Sequence, residues 1–400
     1  MNRHYFFVLA SCLSLSSCGD IDSSDGYVEA AGLLESSFMA NLGSGFNGPV
    51  DGMALQSDSK IIVIGRFTQL NGESSPYLAR LNENGSPDPS FALGLSLDAP
   101  VFEVKVDGED RVYIAGAFQN SVSQALPYFV RLSKDGLIDQ DFLVNLGAGF
   151  DAQTTALSLD DENSIFIGGD FLNFKNQSRS KFIKLLTDGT EDLDFSSTLG
   201  SGFNLSVSEV LTRPDNTICV GGAFTLFNSI SHNRLLCFLE SGEVDTQFKS
   251  LLGGGFNGTI RTLASRAMGD TGLLIGGNFE AVNSLTRKFV AEIEGAGAFD
   301  HSSALNISVG PDADVYSILV NRADSQVFSG DFCQWSSVSI CRMLRLKNGA
   351  IDQTFLTNLG SGFDQNVRSL LELPSGKMLV GGEFLSFNGA AISTHMIQLK

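Results

Sequence analysis

The chain has 400 residues and a formal net charge of −19, and it contains 43 glycines, 31 phenylalanines and one tryptophan. So acidic a surface repels phosphate backbones and anionic lipids, which argues against nucleic acid as a partner. Glycine and phenylalanine recur at fixed positions along the chain, so we interpret their abundance as the mark of a repeated architecture.

The first residues are typical of an export signal. Arg3 supplies a short basic start, and the apolar segment from Tyr5 to Leu15 is too short to span a bilayer. The string Leu-Ser-Ser-Cys that ends at Cys18 resembles the lipobox of bacterial lipoproteins. This resemblance implies that residues 1–17 are a signal peptide and that Cys18 becomes the lipidated N-terminus. An ordinary secretory signal with incidental cysteines is the alternative.

The segment after the signal has no periodic pattern. Residues 18–31 are mostly small and acidic, which predicts a lipidated cysteine followed by a flexible tether. In the sorting pattern of enterobacterial lipoproteins, an aspartate directly after the cysteine retains the protein in the inner membrane. Gly19 occupies that place here. The resemblance therefore implies a lipid anchor in the bacterial outer membrane or at the cell surface.

The rest of the chain is organised by one short stretch that occurs seven times. Each copy is an apolar run followed by one or two glycines, a variable residue and a phenylalanine, which we name the key phenylalanine. Successive copies lie 51 to 55 residues apart. The key phenylalanines are Phe67, Phe118, Phe171, Phe224, Phe279, Phe332 and Phe384. This regular spacing predicts a single repeated unit.

The first unit shows what each copy predicts. Pro49 to Gln56 reads as a first strand, and Lys60 to Phe67 reads as a buried strand rich in β-branched residues. Tyr77 to Asn82 follows as a third strand, and Pro87 to Phe91 as a short fourth strand. Four strands in about fifty residues leave no room for a long helix and predict one antiparallel propeller blade.

The two ends of the repeat region are complementary. The motif Gly-x-x-Asp/Glu-x-x-Phe leads into each fourth strand, and a spare copy from Gly32 to Phe38 has no strands before it. The last unit stops at Lys400, after its third strand. We therefore predict an all-β domain over residues 32–400, a seven-bladed β-propeller of four-stranded antiparallel blades whose last blade is closed by the N-terminal strand. An open solenoid, which would leave both edges bare, is the alternative.

These motifs carry a family resemblance. An apolar strand, Gly-Gly-x-Phe, an Arg-Leu strand, an Asp-Gly turn and Gly-x-x-Asp-x-x-Phe together resemble the delta-60 repeat family of bacterial β-propeller-like proteins. The resemblance extends from Leu33 to Lys400 and implies a propeller in an exported bacterial protein, with no established activity. The second and sixth units depart most from the pattern. In the second, the run from Leu93 to Leu97 stands where other units read Leu-Gly-x-Gly-Phe.

No catalytic constellation emerges from the motifs. Two Gly-x-Gly-x-x-Gly runs, starting at Gly43 and Gly253, lack the helix that a dinucleotide site needs. The Ser-x-x-Lys strings that start at Ser57 and Ser178 fall in a turn and a loop, and the histidines fall at unrelated points of their units. We therefore predict a protein without enzymatic activity and without a cofactor.

The acids of the Gly-x-x-Asp motif are candidates for a ring of metal sites. An aspartate before a short strand is also a good cap for turn amides, and the sequence contains no calcium-loop motif. We predict that these acids are caps, with calcium binding as the alternative. The seven acids are Glu35, Asp88, Asp139, Asp192, Asp245, Asp300 and Asp352.

Four cysteines lie beyond the export signal. Cys333 and Cys341 bracket the loop between two strands of the sixth unit, so in an oxidising compartment we predict a disulfide between them. Cys219 and Cys237 lie on neighbouring strands but diagonally in the expected register, which predicts buried thiols. Trp335 lies in the disulfide loop, and we predict it to be a ligand contact. Packing inside its own loop is the alternative.

The predicted fold places the loops between second and third strands, and those between blades, on one rim. We therefore expect a membrane-anchored, non-enzymatic binding or interaction scaffold of the bacterial cell envelope, with an envelope protein or a polysaccharide as partner, for example in adhesion. One alternative is a metal-dependent hydrolase or lyase in the central channel, where Asp51 and Glu103 are scattered acids on first strands. A passive component of a surface coat is the other.

Overall fold

The computed structural model describes residues 31–122, 124–267, 269–299, 310–392 and 394–400. The predicted signal peptide, Cys18, the predicted tether up to residue 30 and the predicted cap Asp300 lie outside the described residues. Within these ranges the backbone forms seven antiparallel sheets of three or four strands, which we number 1 to 7 in chain order, and seven separate two-stranded hairpins.

Each sheet contains a first, a middle and an outer strand that pair in that order. The first strands are Val50–Leu55, Val101–Val106, Thr154–Leu159, Val207–Thr212, Ile260–Ser265, Val315–Val320 and Val367–Glu372. The middle strands are Ile61–Gly65, Val112–Gly116, Ile165–Gly169, Ile218–Gly222, Leu273–Gly277, Gln326–Gly330 and Met378–Gly382. The outer strands are Leu78–Leu81, Phe129–Leu132, Phe182–Leu185, Leu235–Phe238, Val290–Ile293, Met343–Lys347 and Met396–Leu399.

Between each middle and outer strand, a small hairpin leaves the sheet, and we name these seven the rim hairpins. Their paired strands are Gln69–Leu70 with Glu73–Ser74, Asn120–Ser121 with Gln124–Ala125, Asn173–Phe174 with Gln177–Ser178, Leu226–Phe227 with Ile230–Ser231, Ala281–Val282 with Leu285–Thr286, Gln334–Trp335 with Val338–Ser339, and Ser386–Phe387 with Ala390–Ala391. The loops that we predicted on the rim are therefore regular hairpins.

The predicted fourth strand is replaced in most units by one β-bridge and a short helix. The helices are Ser36–Leu42, Gln140–Leu146, Leu193–Thr198, Thr246–Leu252 and Gln353–Leu359. In the second unit Leu132 bridges Ile138, and Asp139 then caps the helix by accepting a hydrogen bond from the N–H of Phe142. Gly147, at a φ of 58°, ends it. Among the described residues, only sheet 6 has a fourth strand, Ala350–Ile351.

The seven sheets form a ring around a central channel. The first strands contact one another from sheet 1 round to sheet 7, and the first strand of sheet 7 contacts that of sheet 1 again. The N-terminal segment lies along the outer strand of sheet 7, where Gly32 donates to the carbonyl of Lys400 (2.9 Å) and Lys400 donates to the carbonyl of Leu33 (2.8 Å). The two ends of the described chain therefore pair with each other.

Close packing explains the glycine pair before the key phenylalanine. A Cβ at the first glycine would collide with the next sheet, since at Gly168 it would lie 2.3 Å from Val207 Cγ1. A Cβ at the second glycine would collide with the backbone before its own first strand, since at Gly169 it would lie 2.5 Å from the carbonyl oxygen of Gln153. Glycine thus lets the strands approach closely enough to leave every key phenylalanine fully buried.

Gly169→Ala is expected to destabilise the fold by about 1–3 kcal/mol, because the added methyl group collides with backbone that packing holds in place. Gly108→Ala is the control, since a Cβ at Gly108 would have no atom within 4 Å. Urea unfolding of both variants measures the difference. Equal unfolding midpoints would contradict the packing argument.

Candidate functional site

One end of the channel, where first strands begin and middle strands end, presents two variable positions from every repeat. We name this surface the channel mouth. The residues before the key phenylalanines are Arg66, Ala117, Asp170, Ala223, Asn278, Asp331 and Glu383. The second residues of the first strands are Asp51, Phe102, Thr155, Ser208, Arg261, Tyr316 and Arg368.

An ion-pair network at the channel mouth joins sheet 1 to sheet 7. Arg66 donates from Nε and Nη2 to the two carboxylate oxygens of Asp51, each at 2.9 Å, and from Nη2 to Glu383 Oε1 at 2.9 Å. Arg368 donates to the same Glu383 oxygen from Nε at 3.0 Å and from Nη2 at 2.7 Å. Two guanidinium groups and two carboxylates therefore hold one another in fixed orientations.

Tyr316 extends this network to sheets 5 and 6. The Cζ atoms of Arg261 and Arg368 lie 5.2 and 5.0 Å from its ring centroid, within cation–π range. Arg261 is itself paired with Asp314, from Nε at 2.9 Å and from Nη2 at 2.8 Å. Sheets 5, 6, 7 and 1 thus share one continuous charged and aromatic surface.

The charges in this surface support one another. Burial would raise the pKa of the Glu383 carboxyl, but the hydrogen bonds and charges of Arg368 and Arg66 outweigh it and hold that pKa below its usual range. The hydrogen bonds from Arg66 to Asp51 raise the pKa of its guanidinium. Burial raises the pKa of Tyr316. At neutral pH, Glu383 and Arg66 are therefore charged and the Tyr316 hydroxyl keeps its proton.

The opposite arc of the channel mouth has different chemistry on the same frame. Asp170 accepts a hydrogen bond from Gln153 Nε2 at 2.6 Å, and Lys181 Nζ donates to the Asp170 carbonyl at 2.6 Å. On sheet 5, within the first arc, Asn278 Oδ1 likewise accepts from the N–H of Thr259 at 2.9 Å. In sheets 3 and 5 the residue before the key phenylalanine therefore bonds to the segment just before the first strand of its own sheet.

A second ring of large side chains, which our sequence analysis missed, lies just before the outer strands. Each member has a left-handed backbone, with φ between 55° and 75°. The hydrogen bond that Tyr77 donates to the carbonyl of Phe67, at 2.9 Å, illustrates what holds this conformation. An alignment of the seven units would have shown a large residue before each outer strand. It would not have shown that this residue has a positive φ, because large side chains are uncommon in that conformation. The ring is Tyr77, Tyr128, Lys181, Arg234, Phe289, Arg342 and His395.

Further along the first strands, Glu103, Lys105 and Glu209 form a small charged cluster in the channel. Lys105 Nζ lies 3.0 Å from Glu103 Oε1. Burial raises the pKa of Glu209 to about 8, and the negative charge of Glu103 adds to the effect while Lys105 opposes it. At neutral pH we therefore expect Glu209 to carry a proton.

Glu209→Gln is expected to stabilise the protein at alkaline pH and to change little at pH 4. The ordinary glutamate pKa is 4.5, so the folded protein binds this proton more tightly than the unfolded chain. Stability is therefore lost as pH rises from about 4.5 through about 8. At pH 9 we expect a gain in Tm of about 1–2 °C, the shift produced by about 1 kcal/mol in a domain of this size, because unfolding entropy grows with chain length.

Thermal unfolding from pH 4 to pH 9 measures this effect, with Glu162→Gln in an exposed turn as the control. A constant difference between Glu209→Gln and the wild type across this range would show that Glu209 does not titrate as described.

Trp335 is buried, with only 3% of its surface exposed. Its ring centroid lies 5.0 Å from that of Phe328 and 5.5 Å from that of Phe332. The predicted role as an exposed ligand contact does not fit this position, because the rim hairpin turns the ring into the core. The alternative, packing inside its own loop, does not describe it either, because the ring packs against Phe328 and Phe332, which lie outside that loop. Cys333 and Cys341 are disulfide-bonded on either side of this hairpin.

The prediction of buried thiols at Cys219 and Cys237 is wrong. The two residues face each other directly on the middle and outer strands of sheet 4, and a disulfide joins them. Our sequence register set them diagonally, but the long hairpin connection between the strands fixes the true pairing. Both residues are fully buried.

The repeated acids are built into the caps of the helices. Four of them, Asp139, Asp192, Asp245 and Asp352, accept a hydrogen bond from the N–H of the phenylalanine three residues later. Asp139 also accepts from Arg131 Nη2 on the outer strand, at 2.7 Å. Each such carboxylate therefore starts a helix, and in sheet 2 it also ties that helix to the outer strand.

Another repeated side chain, which our sequence analysis did not single out, fixes each rim hairpin. Asn47 Oδ1 accepts hydrogen bonds from the N–H groups of Thr68 (2.8 Å) and Gln69 (2.9 Å). The signal was the asparagine or aspartate that follows Gly-x-Gly-Phe. The seven residues in this role are Asn47, Asp98, Asp151, Asn204, Asn257, Asp312 and Asp364. The hairpins are therefore held firmly against the sheets.

No group of three or more histidine, cysteine, aspartate or glutamate side chains among the described residues is arranged to hold a metal ion. No helix in the described part of the chain is long and apolar enough to cross a membrane.

Residues 56–91, 163–195 and 213–248 match a family described as "Domain of unknown function (DUF5122) beta-propeller". No protein of curated function matches the chain. These matched segments each run from the end of a first strand, or the turn after it, to the phenylalanine of the Gly-x-x-Asp-x-x-Phe motif.

Solved structures share the architecture. The WD40 β-propeller domain of Doa1 is 14% identical, with a TM-score of 0.54, over 89% of this chain and 93% of that one. A structure described as the extracellular domain of the hybrid two-component system BT4673 from B. thetaiotaomicron is 10% identical, with a TM-score of 0.53, over 88% of this chain. This chain spans only 38% of that one. Together with the ring of sheets, these similarities define an all-β protein with a β-propeller fold.

Proposed function

We propose that this protein is a non-enzymatic binding scaffold that recognises its partner at the channel mouth. The observation that supports this best is the contrast within each repeat. Glycines, key phenylalanines and hairpin-fixing side chains keep the frame constant, while the position before the key phenylalanine changes from Arg66 to Asp170 to Glu383. Variable side chains on a rigid frame suit recognition, because the frame holds them without further loss of entropy on binding.

We further infer a seven-bladed propeller of the delta-60 repeat type, in which the N-terminal segment completes the last blade. Support comes from the unbroken ring of contacts among the first strands and from the bridge between Leu34 and Leu399. Closure by paired ends would leave no exposed sheet edge at the junction and would make the channel mouth a stable platform.

The site of action that we propose is the bacterial cell envelope, with lipidated Cys18 anchoring the protein to the outer membrane or the cell surface. The lipobox supports the anchor. The disulfides Cys219–Cys237 and Cys333–Cys341 suit an oxidising compartment. An envelope protein or a polysaccharide is the partner in this proposal.

Crosslinking in cells tests the binding role. A photoreactive benzoylphenylalanine in place of Phe102, at the channel mouth, is expected to capture a reproducible adduct. The same residue in place of Asp161, in an exposed turn at the other end of sheet 3, is the control and should capture none. Equal adducts from both positions, or none from either, would contradict the proposal that the channel mouth is the binding surface.

Metabolic labelling with a palmitate analogue tests the anchor. Cys18→Ala is expected to abolish labelling and to move the protein from the membrane to the soluble fraction, because acyl chains supply the membrane affinity. Cys12→Ala removes the other cysteine of the export signal and should leave labelling unchanged. Undiminished labelling of Cys18→Ala would show that Cys18 is not the lipidated residue.

A further inference from the structure

Three arginines of the channel mouth bind their carboxylate partners in one common way. Arg66, Arg261 and Arg368 each use the side of the guanidinium formed by Nε and Nη2. The acceptors at these edges are Asp51, Asp314 and Glu383 respectively, and Arg66 Nη2 donates in addition to Glu383 Oε1 at 2.9 Å. The protein carboxylates thus orient all three guanidinium planes through the same edge.

This arrangement leaves the Nη1 ends of the three arginines available. None of the residues that the structure describes accepts a hydrogen bond from Nη1 of Arg66, Arg261 or Arg368. The side chains of Arg66 and Arg261 are 38% exposed and that of Arg368 is 29% exposed. Three oriented donors therefore reach solvent from sheets 1, 5 and 7.

Tyr316 joins these donors into one surface. Tyr316 belongs to sheet 6, which lies between sheets 5 and 7, and its ring contacts the guanidinium groups of both Arg261 and Arg368. These contacts restrict the rotation of the two arginine side chains. Side chains that are already ordered lose little entropy when a ligand binds. The surface is therefore preorganised to receive a hydrogen-bond acceptor.

The charge balance indicates what kind of acceptor fits. The three arginines are matched by Asp51, Asp314 and Glu383, and the whole chain carries a formal charge of −19. A polyanion would be repelled by the protein as a whole. A single carboxylate on an otherwise neutral ligand is repelled less than a polyanion, and it can still accept charge-assisted hydrogen bonds from the Nη1 groups.

We propose that Arg66, Arg261, Arg368 and Tyr316 form a recognition site for one carboxylate group of an otherwise neutral ligand. The site deepens the binding role proposed above and rests on it. The Nη1 groups of the arginines donate to the ligand carboxylate, while Asp51, Asp314 and Glu383 position the arginines from behind. These three acids are positioning residues and do not contact the ligand.

Ligand-detected NMR with matched probes tests the proposal. N-acetylglycine is compared with N-acetylglycinamide, and galacturonate with galactose, so that each pair differs in its carboxylate. We expect the wild-type protein to bind at least one carboxylate and to bind its neutral partner about tenfold more weakly, since ionised groups form the stronger hydrogen bonds. The pair that responds also distinguishes an amino-acid carboxylate from a sugar carboxylate.

The double variant Arg261→Gln/Asp314→Asn removes one guanidinium without changing the net charge. It is expected to weaken carboxylate binding about tenfold. The control is Arg266→Gln/Asp270→Asn, which removes a similar ion pair just beyond the other end of the same strand. Equal loss in both double variants, equal binding of the neutral probes, or absence of carboxylate binding to the wild type would overturn the proposal.

The crosslinking experiment separates this inference from the binding role. One outcome is that the double variant Arg261→Gln/Asp314→Asn still yields the adduct from position 102, and that the wild type binds no carboxylate. In that case the scaffold role stands and the carboxylate site is wrong. If carboxylates bind as expected but no adduct forms, the site is real and macromolecular recognition at the mouth is wrong.

Discussion

The structure depends on close packing at the glycines that precede the variable position of each middle strand. All seven middle strands keep the second glycine, and four of them also keep the first, at Gly168, Gly221, Gly276 and Gly381, where the first strand of the next sheet fills the space that a side chain would need. Gly381 of sheet 7 makes this contact with Val50 of sheet 1, so that the same interaction that joins successive sheets also joins the last to the first. A side chain at the second glycine would push the first strand away from its own middle strand. Because the second glycine packs against the backbone before its own first strand in all seven units, every first strand approaches its middle strand closely, and every key phenylalanine is fully buried.

Because packing fixes the sheets, the variable residues of the channel mouth are not needed to hold the backbone and can take other roles. At the channel mouth, positions that are equivalent by repeat carry arginine, aspartate, asparagine or alanine, while the first and middle strands pair with the same irregularity of register in all seven sheets. The result is an asymmetric surface on a symmetric support. Arginines and Tyr316 occupy the arc formed by sheets 5, 6, 7 and 1, whereas Asp170 and Lys181 occupy the arc of sheet 3. The balance of charge within the first arc is what distinguishes it from a simple cationic patch.

Sequence reasoning failed where local structure is decided by contacts between distant segments. The Gly-x-x-Asp motif predicted a fourth strand, but the aspartate caps a helix once the outer strand has turned the chain. Cys219 and Cys237 were placed diagonally because a register cannot be counted through a hairpin that leaves the sheet. Trp335 looked like a surface anchor, yet its hairpin folds the ring against Phe328.

The sequence by itself determined the repeat, its first three strands and the complementary chain ends, because apolar runs, conserved glycines within the repeat and a fixed spacing can be recognised along the chain alone. It also located the variable position before each key phenylalanine. Only the tertiary structure decided which of those positions meet. Arg66 and Glu383 are 317 residues apart in sequence, yet Arg66 Nη2 lies 2.9 Å from Glu383 Oε1. The two meet because closure of the ring brings sheet 7 beside sheet 1. Which edge of each guanidinium is occupied depends on such contacts, and no pattern along the chain records them.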